Sequence, residues 1–103
     1  MELETSKIVE TVNKNKTKLL EPKNYRVILY NDNFTTKEFV VEVLMRRFNK
    51  KHNEALILME KVHSQNQAII GTYPYDIAAT RMSLTIQDAR QNGFPLRCEM
   101  EEG

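Results

Sequence analysis

The 103-residue chain has no tryptophan, one cysteine, two histidines, three glycines and three prolines. Each scarcity removes a class of explanation. A lone Cys98 forms no internal disulfide, so nothing staples the fold covalently. With glycine only at 71, 93 and 103, no glycine-rich phosphate loop can be assembled. His52, His63 and Cys98 stand apart, without a His-x-x-x-His or Cys-x-x-Cys spacing, so no zinc site is expected. No apolar run approaches the 18 residues that a membrane span needs, and the opening residues carry no apolar signal core. Charge of one sign is also missing: 15 Lys and Arg face 14 Asp and Glu, a net +1. That balance argues against a general affinity for nucleic acid or acidic membranes. These features together predict a cytoplasmic protein, and 103 residues leave room for one domain with a modest core.

What is present is a clear succession of elements. Residues 1–24 are dense in Lys, Glu, Asn and Thr, with too few branched apolar residues to offset ordering entropy, and are expected to form a flexible arm. Pro22 marks its junction with a core of residues 25–103. Tyr25–Tyr30 reads as a strand from its β-branched and aromatic content. A helix follows with Val40, Val43, Leu44 and Phe48 on one face, opened by Thr35 as N-cap with Glu38 three positions on. After a polar connection, with Asn53 as a candidate cap, Ala55, Leu56, Met59, Val62 and His63 recur at helical spacing. Gln67–Tyr73 is a second strand, Gly71 marking a bulge or a close approach. Pro74 can open a third helix with Ile77, Ala78, Leu84, Thr85 and Ala89 inward, and Gly93 stops it. Pro95–Met100 alternates as a last strand, Leu96, Cys98 and Met100 on one face. The expected fold is α+β: a small three-stranded antiparallel sheet with three helices on one side, in the order β-α-α-β-α-β.

The joint between the first strand and helix is the most informative stretch. Asn31, Asp32 and Asn33 are short polar residues that favour a turn by bonding nearby backbone. A polar turn between a strand end and an apolar helix face makes a small fixed pocket beside an apolar floor, which we read as a binding site. Enzyme chemistry finds little support. A Cys98–His63 nucleophile pair would need a reactive thiol, whereas Cys98 has the alternation of a buried strand cysteine. The cations Arg46, Arg47, Lys50 and Lys51 read as a solvated helix end, favourable near a helix C-terminus.

The run Tyr25-Arg-Val-Ile-Leu-Tyr-Asn-Asp32, with Phe34-Thr35, Glu38-Phe39-Val40, Met59-x-x-Val62-His63, Gly71, Ala79-Thr80-Arg81, Ala89-Arg90 and Pro95-Leu96, resembles the ClpS family of bacterial adaptors. The likeness extends over about residues 24–101 without insertions. It implies a non-enzymatic adaptor without cofactors that binds N-degrons, proteins whose first residue is Leu, Phe, Tyr or Trp. Such adaptors pass their cargo to the ClpA-type unfoldase of the ClpAP protease. By this resemblance Asn31, Asp32, Asn33 and His63 bind the free α-amine. Leu29, Tyr30, Thr35, Lys37, Val40, Met59, Val62 and Leu96 line the pocket for the first side chain. Asp76, Thr80 and Arg81 match the surface that meets the N-terminal domain of the unfoldase. The free adaptor is expected to be monomeric.

The sequence departs from the family pattern at three of these positions. Asn33 stands where a second Asp is usual, Lys37 where a Met guards the pocket mouth, and Tyr30 where a smaller aliphatic residue is common. These changes keep a second reading open, a diverged regulator that docks on a Clp ATPase without reading free N-termini. The fold also resembles the C-terminal domain of the ribosomal stalk protein, so architecture alone does not choose between these roles.

Overall fold

The computed structural model describes residues 23–103; the arm of residues 1–24 expected from composition lies, apart from its last two residues, outside them. Six elements follow one another: β1 (Asn24–Tyr30), α1 (Lys37–Phe48), α2 (His52–Gln65), β2 (Gln67–Pro74), α3 (Tyr75–Gln91) and β3 (Arg97–Glu102). The strands form one antiparallel sheet in the order β2-β1-β3. The expected element order and α+β architecture are those observed.

Alternation along the strands decides which face the helices cover. Val27 and Leu29 of β1, Ala68 and Ile70 of β2 and Cys98 of β3 point into the core. There they meet Phe39, Val40, Val43, Leu44 and Phe48 of α1, Ala55, Met59 and Val62 of α2, and Ala78 and Ala89 of α3. Pleating sends the intervening residues to the opposite face. On β3 these are Arg97, Glu99 and Glu101, joined by ion pairs from Arg97 to Glu99 (2.6 Å) and from Arg26 to Glu101 (3.4 Å).

β2 contains a bulge. Val27 pairs with Gly71 and Ile28 with Ile69, which leaves Ile70 as the extra residue. The bulge changes the phase of the strand, so Ala68 and Ile70 point inward before it and Gly71 and Tyr73 after it. The missing side chain of Gly71 is filled by Tyr73: a Cβ there would lie 2.7 Å from the Tyr73 ring. That ring packs near Phe48, 6.2 Å between centroids, and lies beneath the Arg81 guanidinium at 4.9 Å.

Helix boundaries differ from the sequence expectation in instructive ways. Thr36, not Thr35, caps α1: its hydroxyl oxygen accepts from the Phe39 amide at 3.1 Å. Thr35 is drawn into the preceding turn instead. α2 starts at His52, one residue before the proposed Asn53 cap, and the Glu54 carboxylate accepts from the Lys51 amide at 3.1 Å. Leu56 and Ile77, assigned to inner faces, are 38% and 39% exposed. β3 begins at Arg97 rather than Pro95, because Arg90 claims the carbonyls of Phe94 and Leu96, each at 2.9 Å.

The largest correction concerns Arg46 and Arg47. They are not simply a solvated helix end, since both bond the buried carboxylate of Asp88 on α3. Arg47 does so through two bonds of 2.7 and 3.0 Å, and Arg46 through one of 3.3 Å. The Arg47 guanidinium holds the Asp88 carboxyl below its ordinary value against the opposing cost of burial, and Arg46 adds to the effect. A two-toothed guanidinium–carboxylate contact fixes orientation as well as distance, so it sets how α1 lies on α3. Asp88→Ala leaves the Arg47 guanidinium without its acceptor, while Arg46 keeps Glu42 at 3.8 Å, and is expected to cost about 2–4 kcal/mol of unfolding free energy in urea melts. Because the folded-state carboxyl is depressed, its contribution is present above the ordinary value of 3.8 and disappears as pH falls below it. The variant should therefore show a flatter loss of stability than the wild type below about pH 4.

Candidate functional site

β1 ends at Tyr30 and the chain turns through Asn31–Thr36 into α1. Two sets of bonds fix this turn. The Asn31 amide donates to the Asn66 carbonyl at 2.8 Å, which extends the β1–β2 pairing one step and ties the turn to the C-cap of α2. Asn66 takes the left-handed conformation, φ 71°, that asparagine tolerates well. Asp32 organises the rest: its Oδ1 accepts from the amides of Phe34 (2.8 Å) and Thr35 (2.7 Å), and its Oδ2 from the Thr35 hydroxyl (2.7 Å). Partial burial works against ionisation of Asp32. The Thr35 hydroxyl and the two amides outweigh it and hold the carboxyl below its ordinary value, with a smaller push from Arg90.

The turn, the first turns of α1 and the last turns of α2 enclose a cavity of about 240 Å³ that opens to solvent. Asn31, Asp32, Asn33 and Thr35 line it from the turn, Lys37 and Val40 from α1, and Met59, Val62 and His63 from α2. Val40, Met59 and Val62 are buried and form an apolar floor, while Asn31, Asn33 and His63 are exposed at the polar end. Lys37 stands at the mouth, its ammonium 3.8 Å from the Glu60 carboxylate across the α1–α2 seam. An ionised carboxylate offers about four acceptor positions, and the turn occupies three of those on Asp32. A cationic donor in the cavity would therefore find most of its acceptors on Asn31, Asn33 and His63, within the negative potential of Asp32.

Nine of the twelve residues assigned to the amine site and side-chain pocket thus share one cavity. The other three lie elsewhere. Leu29 is wholly buried and Leu96 is 1% exposed, both within the core. Tyr30 pairs with Arg97 on the sheet face away from the helices, its ring 4.2 Å from that guanidinium. Asp76, Thr80 and Arg81 line a separate shallow cleft on α3 with Ile77. Two contributors escaped sequence reasoning, the Asn66 carbonyl and Glu60. A backbone oxygen carries no side-chain signal, and the partner of Lys37 lies 23 positions along the chain on a facing helix.

Cys98 and His63 do not form a pair. His63 lines the cavity, whereas Cys98 is 4% exposed in the core. Burial pushes the thiol up to about 12, with the neighbouring Glu99 charge acting in the same direction. Among the described residues no group of three His, Cys, Asp or Glu side chains comes together as a metal site. Nor is any described helix long and apolar enough to cross a membrane.

A three-stranded α+β module with a cavity at one strand–helix joint, apolar at the floor and polar at one end, is the class of protein this geometry defines. Comparison with known proteins narrows it. Residues 20–99 match the model of the ATP-dependent Clp protease adaptor protein ClpS, and the chain belongs to the ClpS family. It is 52% identical to the ClpS adapter of Treponema denticola over 85 residues, 82% of this chain and 84% of the relative. It is 47% identical to that of Wolinella succinogenes over 93 residues, 90% and 91% of the two chains. The structure of Agrobacterium tumefaciens ClpS2 bound to L-phenylalaninamide is similar with a TM-score of 0.77 and 32% identity, covering 80% of this chain and 99% of that one.

A thiol this deeply placed and this weakly acidic is expected to be slow to react. Labelling of Cys98 in the native protein at pH 8 should run at least ~100-fold slower than in denaturant, following opening of the core. Fast native labelling would contradict the placement.

Proposed function

We propose that this chain binds proteins through a free N-terminal amine and a bulky hydrophobic first residue, Leu, Phe, Tyr or Trp, and delivers them to the ClpA-type unfoldase of the ClpAP protease. One observation carries the reading: an apolar floor of Val40, Met59 and Val62 lies in the same small cavity as acceptors on Asn31, Asn33 and His63. A protein's first residue presents these two demands together. Its α-ammonium donates and cannot accept, so it needs acceptors at fixed positions, while its side chain needs burial. The similar ClpS2 structure holds L-phenylalaninamide, a ligand with a free α-amine and an aromatic side chain.

Magnitudes are consistent with a reversible carrier. Charge-assisted hydrogen bonds contribute about 1.5–3 kcal/mol each, and burial of the first side chain about 1.5–3 kcal/mol. After ordering costs, a net of roughly −7 to −9 kcal/mol corresponds to a dissociation constant near the micromolar range. Lys37 bears on selectivity. Its methylenes can cover the apolar mouth while Glu60 draws its ammonium away from the arriving amine. The cleft of Asp76, Thr80 and Arg81 lies on α3, apart from the cavity, so unfoldase and cargo would not compete for one surface. In this reading residues 1–24 are the delivery arm and residues 25–103 the cargo-binding core.

Fluorescence anisotropy with peptides differing only at the first residue tests the proposal. Phe, Leu, Tyr and Trp ends should bind, and acetylation of the amine, Asn31→Ala or His63→Ala should each weaken binding at least ~10-fold. Indifference to acetylation would overturn the reading in favour of a regulator that docks on the ATPase without reading free N-termini. Lys37→Met should tighten Phe-ended peptides roughly twofold to fivefold, and Glu60→Ala should weaken them by a similar factor. Deletion of residues 2–18 should spare peptide binding and impair degradation by ClpAP; equal degradation would remove the delivery role of the arm.

A further inference from the structure

A second depression of about 350 Å³ runs on from the cavity along the α1–α2 seam, lined by Lys37, Glu38, Val41, His52, Leu56 and Met59. Lys37 and Met59 belong to both. Leu56 is 38% exposed there although it sits at core-like helical spacing, and Val41 is half-buried. The two aliphatic side chains and Met59 make the groove mostly apolar, with Glu38 and His52 on its rim. We propose that this groove is a second subsite of the same receptor and takes an apolar side chain of the third residue of the bound protein.

The inference rests on the proposed reading of the cavity, and direction and spacing carry it. The amine end is fixed by Asn31 and by His63, the C-terminal member of the seam on α2. A chain leaving that end past Met59 runs toward the N-terminus of α2 and meets Leu56 next. In an extended peptide residues 1 and 3 share a face, about 7 Å apart. The helix rises about 1.5 Å per residue, so Leu56 lies about 7 Å along α2 from the midpoint of Met59 and Val62. The two spacings coincide. Side chain 2 would then point to solvent and side chain 3 into the groove. The apolar lining sets the preference: Val41, Leu56 and Met59 favour an aliphatic residue, and an acidic one would lose hydration against them.

Peptides beginning Phe-Ala-Xaa, with Leu, Ala or Glu at the third position, test this by anisotropy at fixed salt. Leu should bind roughly threefold to tenfold tighter than Ala, the size expected for partial burial of one aliphatic side chain, and Glu weaker than Ala. Leu56→Glu should abolish the gain from Leu while leaving the Phe-Ala-Ala peptide unchanged; Val41→Ser provides a second variant in case the first perturbs folding. No dependence on the third residue, a gain that survives Leu56→Glu, or a gain found only at the second or fourth position would each overturn the subsite. A concentration-dependent dimer that Leu56→Glu dissolves would assign the groove to a second copy of the chain and also overturn it. Failure of the Phe-Ala-Ala peptide itself to bind would instead strike the reading of the cavity.

Discussion

The hydrogen bond from the Asn31 amide to the Asn66 carbonyl is the constraint on which the site depends. It is the last rung of the β1–β2 pairing, and it falls where two unrelated pieces of chain must meet. One is the turn that leads into α1, and the other is the C-terminal end of α2, three residues after His63. Without that rung the ladder would stop at Tyr30 and Gln67, and both Asn31 and the end of α2 would be free to splay from it. With it, the polar end of the cavity inherits the rigidity of a central strand buried on its inner face. Sites held by regular elements keep their geometry better than sites held by loops.

The charges divide into those that build and those that remain available. Asp88 is spent on Arg47 and Arg46, fixing α1 against α3 from inside the protein. Arg90 is spent on the carbonyls of Phe94 and Leu96, shaping the approach to β3 and leaving its charge near Asp32. An edge-to-face contact of Phe39 with Phe94, 5.1 Å between centroids, closes the same corner. Asp32 belongs to both groups: its lone pairs hold the turn, while its charge still acts through space on whatever enters the cavity. Removing it would unmake the turn together with the field, so a substitution there mixes two effects that Asn31→Ala or His63→Ala would separate.

Much of this was legible in the sequence, for physical reasons that differ by element. Periodicity identified Val40, Val43, Leu44 and Phe48 because α1 is apolar on one face only. It misplaced Leu56 and Ile77 because an aliphatic residue at core spacing can line an open groove as readily as a core. The Asn-Asp-Asn turn announced itself through its composition, yet which of two adjacent threonines would cap the helix depended on Asp32 claiming Thr35. Asp88 was illegible: a carboxylate among inward-facing positions reads as an error of phase until its two arginines are seen to come from another helix. Leu29, Tyr30 and Leu96 are assigned to the pocket by likeness alone, since two of them are core side chains and the third stacks on Arg97.

The edges of the sheet bear on what kind of segment such a protein can accept. Among the described residues β1 is the central strand, and β2 and β3 each present one unpaired side. β3 lines its outward face with Arg97, Glu99 and Glu101, and β2 is kinked by the bulge at Ile70 and ends in Pro74, which has no amide to donate. Charge, bulge and proline are the devices that discourage an added strand. An extended polypeptide therefore finds no ladder to extend along its middle. What the surface offers instead is a hollow, apolar at its floor and polar at one end, which takes side chains and end groups rather than the middle of a strand.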